Sequence, residues 1–320
     1  MLLVGTGLLG LSAASVGFAT EMWLARIAAF AFGAAGLGDM TATVLLAERG
    51  GERSGRLLAW GHGAFAIGAV ATPVLAGVAL EAGTSYPLLF AAAAVLNLSI
   101  FLWNALVPVP GEVRAAVSVP GLATGRESLF RQPLFLFGMV VIALYLGGEA
   151  ALTIWLPTWI LDRFGASEGI ASASVAVFWV SMASARLGLG PVLERYDRRV
   201  VIVGMSGASA LASVWLLVSA SLVPAFIGVA LAGLSMSLVV PLLQSAMAGA
   251  FPRSAVPVIG WLAVAAGTAG SVSPWVVGAM AETFQQRPDM SAGGGLTLAL
   301  WLVPAAFGAT AVAALRLRRP

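Results

Sequence analysis

Apolar runs of about twenty residues, the length that crosses a hydrocarbon core, recur from one end of this chain to the other. They lie near 1–20, 23–46, 57–80, 86–107, 134–161, 170–189, 200–220, 222–250, 256–281 and 296–315. Backbone inside lipid must satisfy its hydrogen bonds internally, which leaves helices and closed barrels. Barrel strands would alternate in segments of about ten residues, and these runs do not. The expectation is an all-α membrane protein with ten transmembrane helices.

Composition closes the other routes. Hydrophobic residues make up 60% of the chain and charged ones 10%, with a mean hydropathy of +0.97. A soluble domain carries roughly a quarter charged residues. With no cysteine there is no disulfide framework and no thiol nucleophile, and the single histidine, His62, excludes a polyhistidine metal site. No phosphate loop or catalytic constellation is present, so neither an enzyme nor a cofactor is expected. All 17 basic residues are arginine. A pI of 10.2 would suit nucleic acid if these formed a patch on a soluble face, but they stand in ones to threes between apolar runs.

That spacing fixes an orientation. With the N-terminus in the cytoplasm, the cytoplasmic segments hold Arg49, Arg53, Arg56, Arg114, Arg126, Arg131, Arg195, Arg198, Arg199, Arg253, Arg316, Arg318 and Arg319. The opposite side keeps Arg163 and Arg287, while Arg26 and Arg186 lie within or at the edge of spans. The positive-inside rule then places both termini in the cytoplasm, in a multi-pass protein of the cell membrane. The longest connection is rich in Pro, Gly and Arg, and it divides four spans (1–107) from six (134–320) as a cytoplasmic linker over 108–133.

After the sixth span comes Gly190-Pro191-Val192-Leu193-Glu194-Arg195-Tyr196-Asp197-Arg198-Arg199. This resembles the Gly-x-Leu-x-Asp-Arg-x-Gly-Arg-Arg loop of the major facilitator superfamily, with Glu194 for the Asp, Val192 for the Leu and Asp197 for the second Gly. A glycine permits the tight turn, and an acid that pairs with arginines in one conformation only suits a gate. The resemblance makes Gly190, Glu194, Arg195, Arg198 and Arg199 a gating loop. It also makes the last six spans a complete half, and the first four helices three to six of the other half.

Further stretches are similar to the fucose permease-like sugar:proton symporters. They are Gly36-Leu37-Gly38-Asp39, Arg56 through Gly63, Gly68 through Pro73, Tyr145 through Glu149, Trp155-Leu156-Pro157, Phe178-Trp179, Gly233 through Pro241 and Gly267 through Pro274. The resemblance implies a monomeric secondary transporter of a small solute, a sugar or related metabolite, coupled to protons. Its substrate would bind near the midplane, and its halves would rock around it. Efflux of drug-like compounds, or a remnant unable to transport for want of two helices, are the alternatives. The partners expected are the substrate, protons and the lipid bilayer, and not nucleic acid.

Ionisable groups at bilayer depth cost several kcal/mol, about 3 on insertion scales, so they face a cavity or a partner. Glu149 lies near the middle of its run, and Asp39 in the cytoplasmic half of its own. His62 falls at a similar depth to Asp39 on the next, antiparallel span, and such a pair can exchange a proton near neutrality. These three are the expected proton-coupling or substrate-binding residues. Asn97, Gln244, Trp155 and Trp179 form a second group, amides for hydroxyls and aromatic faces for C–H surfaces. Arg186, at the end of the sixth span, is assigned to the adjoining loop.

Overall fold

The computed structural model describes residues 2–19, 21, 23–24, 27–28, 31, 54–107, 129–189, 195–251, 254–287 and 293–317, without the side chains of 2, 54–63, 66, 255 and 256. Every regular element among them is helical: α1 (Leu2–Gly17), α2 (Ser54–Glu81), α3 (Tyr86–Leu106), α4 (Pro133–Phe164), α5 (Glu168–Gly188), α6 (Arg198–Val218), α7 (Leu222–Met236), α8 (Val239–Ala250), α9 (Ala255–Gln285), α10 (Gly294–Ala299) and α11 (Leu302–Ala314). Seven segments are long and apolar enough to span a bilayer: α3, α4, α5, α6, α7 with α8, most of α9, and α10 with α11. Leu3–Gly17 and Ile67–Glu81 are shorter apolar helices. Most of the expected second span, 23–46, lies outside the described residues.

Two compact units divide the chain, Met1–Val119 and Pro120–Pro320. In the first, α1 packs along α3. The contact is close because glycines on α1 face large side chains, Gly7 under Phe101 and Gly10 under Leu98.

In the second unit α4 is the spine, packing against α9, α11, α5 and α8, while α6 lies against both α7 and α11. Its core is aromatic and aliphatic, with Phe135, Tyr145, Trp159, Phe178 and Phe307 fully buried. The outside is as apolar as the inside: Leu211 and Val223 are each 72% exposed, which suits a surface solvated by lipid tails.

Local chemistry sets the helix ends. Gly165, at φ 60 and ψ 31, ends α4 with its N–H on the Leu161 carbonyl, the left-handed stop that glycine adopts without a Cβ penalty. Two residues later Ser167 caps α5 by accepting from the Ile170 N–H. So short a turn makes α4 and α5 antiparallel neighbours.

Two expected spans are interrupted. The run 222–250 breaks at Ser237–Leu238 between α7 and α8, and the run 296–315 breaks at Leu300–Trp301 between α10 and α11. The cause is the same in both. Pro241 and Pro304 stand third in α8 and α11, and each lacks the N–H that the carbonyl four residues earlier requires. At the second break the Leu300 carbonyl accepts from Val303 N at 2.9 Å, a tighter turn of the 3₁₀ kind. The first break is resolved by side chains from other helices.

Close approach of α5 and α7 depends on Gly233, where a Cβ would collide with the Phe178 carbonyl oxygen. Gly204 on α6 has nothing within 4 Å of its Cβ direction. Gly233→Ala is therefore expected to lower the melting temperature and the monodisperse fraction in detergent. Gly204→Ala should be neutral or gain up to about 1 kcal/mol from helix propensity. A Gly233→Ala variant that melts like the parent would remove the packing argument.

Candidate functional site

The expected residues fall into distinct places. Asp39, Gly190 and Glu194 lie outside the described residues, and His62 stands on α2 with its side chain likewise outside them. Asn97, on α3 in the first unit, returns its Nδ2 to the Ala93 carbonyl at 2.8 Å, a contact within its own helix. Arg195 and Arg198 are exposed and Arg199 half-buried. Beside them Asp197 caps α6, its Oδ1 accepting from the Arg199 N–H at 2.9 Å and the Val200 N–H at 3.3 Å. An acid just before an apolar run is the usual helix-start signal, so Asp197 serves the turn where the family loop has a glycine. A cavity of about 690 Å³ opens here, lined by Asp197, Arg198, Arg199, Leu134, Met247 and Leu317 among others. Glu149 is not among the residues that line it.

Around Glu149 the second unit gathers a polar cluster. Tyr145 lies one turn earlier on the same face of α4, as a spacing of four requires, and the two side chains interact. The Tyr145 hydroxyl also donates to the Met236 carbonyl at the α7–α8 break. From α5, Arg186 donates its Nε to the Ser237 carbonyl at 2.9 Å, and its charge acts on both Glu149 and Tyr145. Glu149 is half-buried, Tyr145 fully buried and Arg186 exposed.

The Ser237 carbonyl is the one that Pro241 leaves without a helical donor. Backbone freed at membrane depth must be satisfied by other means, and Arg186 does it here. The same two side chains that hold the break therefore flank the acid.

Sequence reasoning reached Glu149 but missed Tyr145 as a site residue and left Arg186 with the cytoplasmic loop. Counting from the turn that α4 and α5 share gives the better depth. Arg186 is 18 residues after Glu168, while Tyr145 is 19 and Glu149 15 before Phe164. At about 1.5 Å per residue, the three fall within about one helical turn of each other in depth.

The aromatic candidates part company. Trp179 is half-buried, with its ring edge-on to Phe178, and stands seven residues before Arg186 on the same face of α5. Trp155 is six residues past Glu149, on another face of α4. Its indole N–H donates to the Pro274 carbonyl of α9 at 2.8 Å, and its ring fills the space a Cβ on Gly278 would take. Gln244 is half-buried on α8, two turns past the break. Gly147 and Gly148 bring α4 close to its neighbours, with Ser273 of α9 against the first and Phe307 of α11 against the second.

The break and Arg186 should be energetically coupled. A hydrogen bond to a buried carbonyl is worth about 1–3 kcal/mol once its loss leaves the oxygen unpaired. Arg186→Ala is expected to destabilise the parent, and to do so less in a Pro241→Ala background, where residue 241 regains an N–H for Ser237. A double-mutant cycle of denaturation in micelles should give a coupling of about 1 kcal/mol. Strict additivity would sink the assignment.

The profile of the Major Facilitator Superfamily matches residues 1–274. No curated protein is significantly similar in sequence. Solved structures share the fold at low identity. A structure of the fucose:proton symporter of E. coli matches at 16% identity and TM-score 0.59, over 100% of this chain and 83% of that one. A D-xylose-proton symporter matches at 14% and 0.71, over 99% and 80%. A bacterial homologue of the human lysosomal transporter Spinster, inward-facing and occupied, matches at 15% and 0.69, over 98% and 79%. Apolar helices long enough to span a bilayer, no strand among the described residues, and a family profile over most of the length give one conclusion: the chain is a multi-pass membrane protein belonging to the major facilitator superfamily of transporters.

Proposed function

We propose that this protein is a proton-coupled secondary transporter of a small solute, a sugar or related metabolite, of the fucose permease-like kind. The observation that carries the reading is Glu149, a half-buried acid midway along the central helix of the second unit. It has a hydroxyl beside it and a guanidinium within electrostatic reach. A carboxyl so placed can take up and release a proton as its surroundings change. Two of the solved structures with this fold are named as sugar–proton symporters, which supports the substrate class.

In this reading Asp39 and His62 take part in proton coupling from the first unit, and Trp179, Trp155, Gln244 and Asn97 contribute to solute binding. The loop from Gly190 to Arg199 acts as a gate, and the linker over 108–133 joins a four-span region to a six-span one. Both termini face the cytoplasm, and the protein works as a monomer in the cell membrane.

Two measurements test the proposal. Proteoliposomes with an inward proton gradient should accumulate a labelled sugar or sugar derivative. Glu149→Gln is expected to abolish gradient-driven accumulation while sparing exchange of solute across the membrane, and Asp39→Asn to weaken it. Full gradient-driven uptake by Glu149→Gln would exclude the coupling role. The orientation is tested on the cysteine-free chain by single substitutions at two exposed turns, Arg195→Cys and Gln286→Cys. An impermeant maleimide added to whole cells should label Gln286→Cys and leave Arg195→Cys unlabelled; the reverse pattern would invert the topology.

A further inference from the structure

The charge inventory of the second unit narrows the solute further. Among the described residues, α7, α8, α10 and α11 carry no ionisable group. The one on α9 is Glu282, in its last turn, and those on α6 are Arg198 and Arg199, in its first. On α5, apart from Arg186, there is Glu168 at the first residue; on α4, besides Tyr145 and Glu149, there are Asp162 and Arg163 in the last turn. Of these groups Glu149 alone among the acids and bases stands away from a helix end, and Arg186, in the last turn of α5, is the base whose charge acts on it, with the Tyr145 hydroxyl beside it.

That pair sums to zero when Glu149 is ionised and to +1 when it carries a proton, because a guanidinium does not release its own. An uncompensated charge at membrane depth costs several kcal/mol, about 3 on insertion scales. Within the described helices of this unit, a negative charge that arrives with the proton on Glu149 restores the neutrality of the pair. Arg186 is built to receive one. Its Nε is held by the Ser237 carbonyl, which fixes the plane of the guanidinium, and the residue is exposed. The two terminal nitrogens extend from it as a planar fork, the geometry that matches a carboxylate. Trp179, two turns away on the same face of α5, offers an aromatic surface for the rest of a small solute.

Building on the proton-coupled reading above, we infer that the solute is a small monoanion, a carboxylate of the sugar-acid or hydroxy-acid kind. It binds Arg186 and moves with the proton on Glu149 without net charge. Cotransport of a neutral sugar with a proton would carry one positive charge per cycle, so the two solute classes differ in their response to membrane potential.

The test uses the full chain in proteoliposomes with labelled D-gluconate and L-lactate as anionic probes, and D-galactose and D-xylose as neutral ones. At least one monoanion should accumulate on a gradient of one pH unit, up to about tenfold. A potassium–valinomycin potential of either sign should leave that accumulation unchanged. Arg186→Gln, made in the Pro241→Ala background so that the break keeps a donor, should cut anion uptake about tenfold or more relative to Pro241→Ala alone, with Arg186→Lys intermediate. Accumulation of the neutral sugars in response to potential, without the anions, overturns the monoanion and leaves proton-coupled transport standing. Anion uptake unaffected by Arg186→Gln in that background also overturns it. No accumulation of either class overturns both readings.

Discussion

A backbone carbonyl freed inside a hydrocarbon slab has no water to turn to, and the second unit of this protein is organised around that fact. Its helices are interrupted at Ser237–Leu238 and Leu300–Trp301 and carry prolines at 157 and 274. Donors meet the carbonyls at both interruptions. The Leu300 carbonyl is met within its own turn. The carbonyls of Met236 and Ser237 are met by Tyr145 and Arg186. Two of these donors sit on α4 and α5, helices joined by a turn of three residues, so the hairpin they form braces the break between α7 and α8.

This arrangement ties structure to chemistry through shared atoms. Tyr145 and Arg186 hold the α7–α8 break and also flank Glu149. A change in the charge of that carboxyl is felt by both side chains, and through them by the two carbonyls that define the break. A helix already interrupted at this point bends there at less cost than an unbroken one. The acid and the weakest point of α7–α8 are thus mechanically adjacent, as expected of a protein that changes conformation around its cargo.

The second unit also shows how glycine and aromatic residues divide labour when no hydrophobic effect separates core from exterior. Leu, Val and Trp line the outside as freely as the inside, so burial of apolar area does not choose the partners. Close approach does. Gly233 against the Phe178 carbonyl, Gly147 against Ser273 and Gly278 under the Trp155 ring set which helices touch and at what register.

The sequence alone determined the class of molecule. Apolar run length and near-absence of charge required helices in a membrane, and the loop ending in Asp197-Arg198-Arg199 pointed to the family. Glu149 was legible because a single acid in a long apolar run has few explanations. The break at Ser237 was half legible, since Pro241 is visible, but the run around it reads as one continuous span. Arg186 and Tyr145 were not legible as partners of Glu149. Their meeting depends on the depth at which α4 and α5 align, which the three-residue turn at 165–167 fixes. Run lengths could not reveal it, because α4 is 32 residues long and α5 21. What Tyr145 and Arg186 do is decided by the carbonyls of the α7–α8 break that lie opposite them, and only the tertiary structure brings the two together.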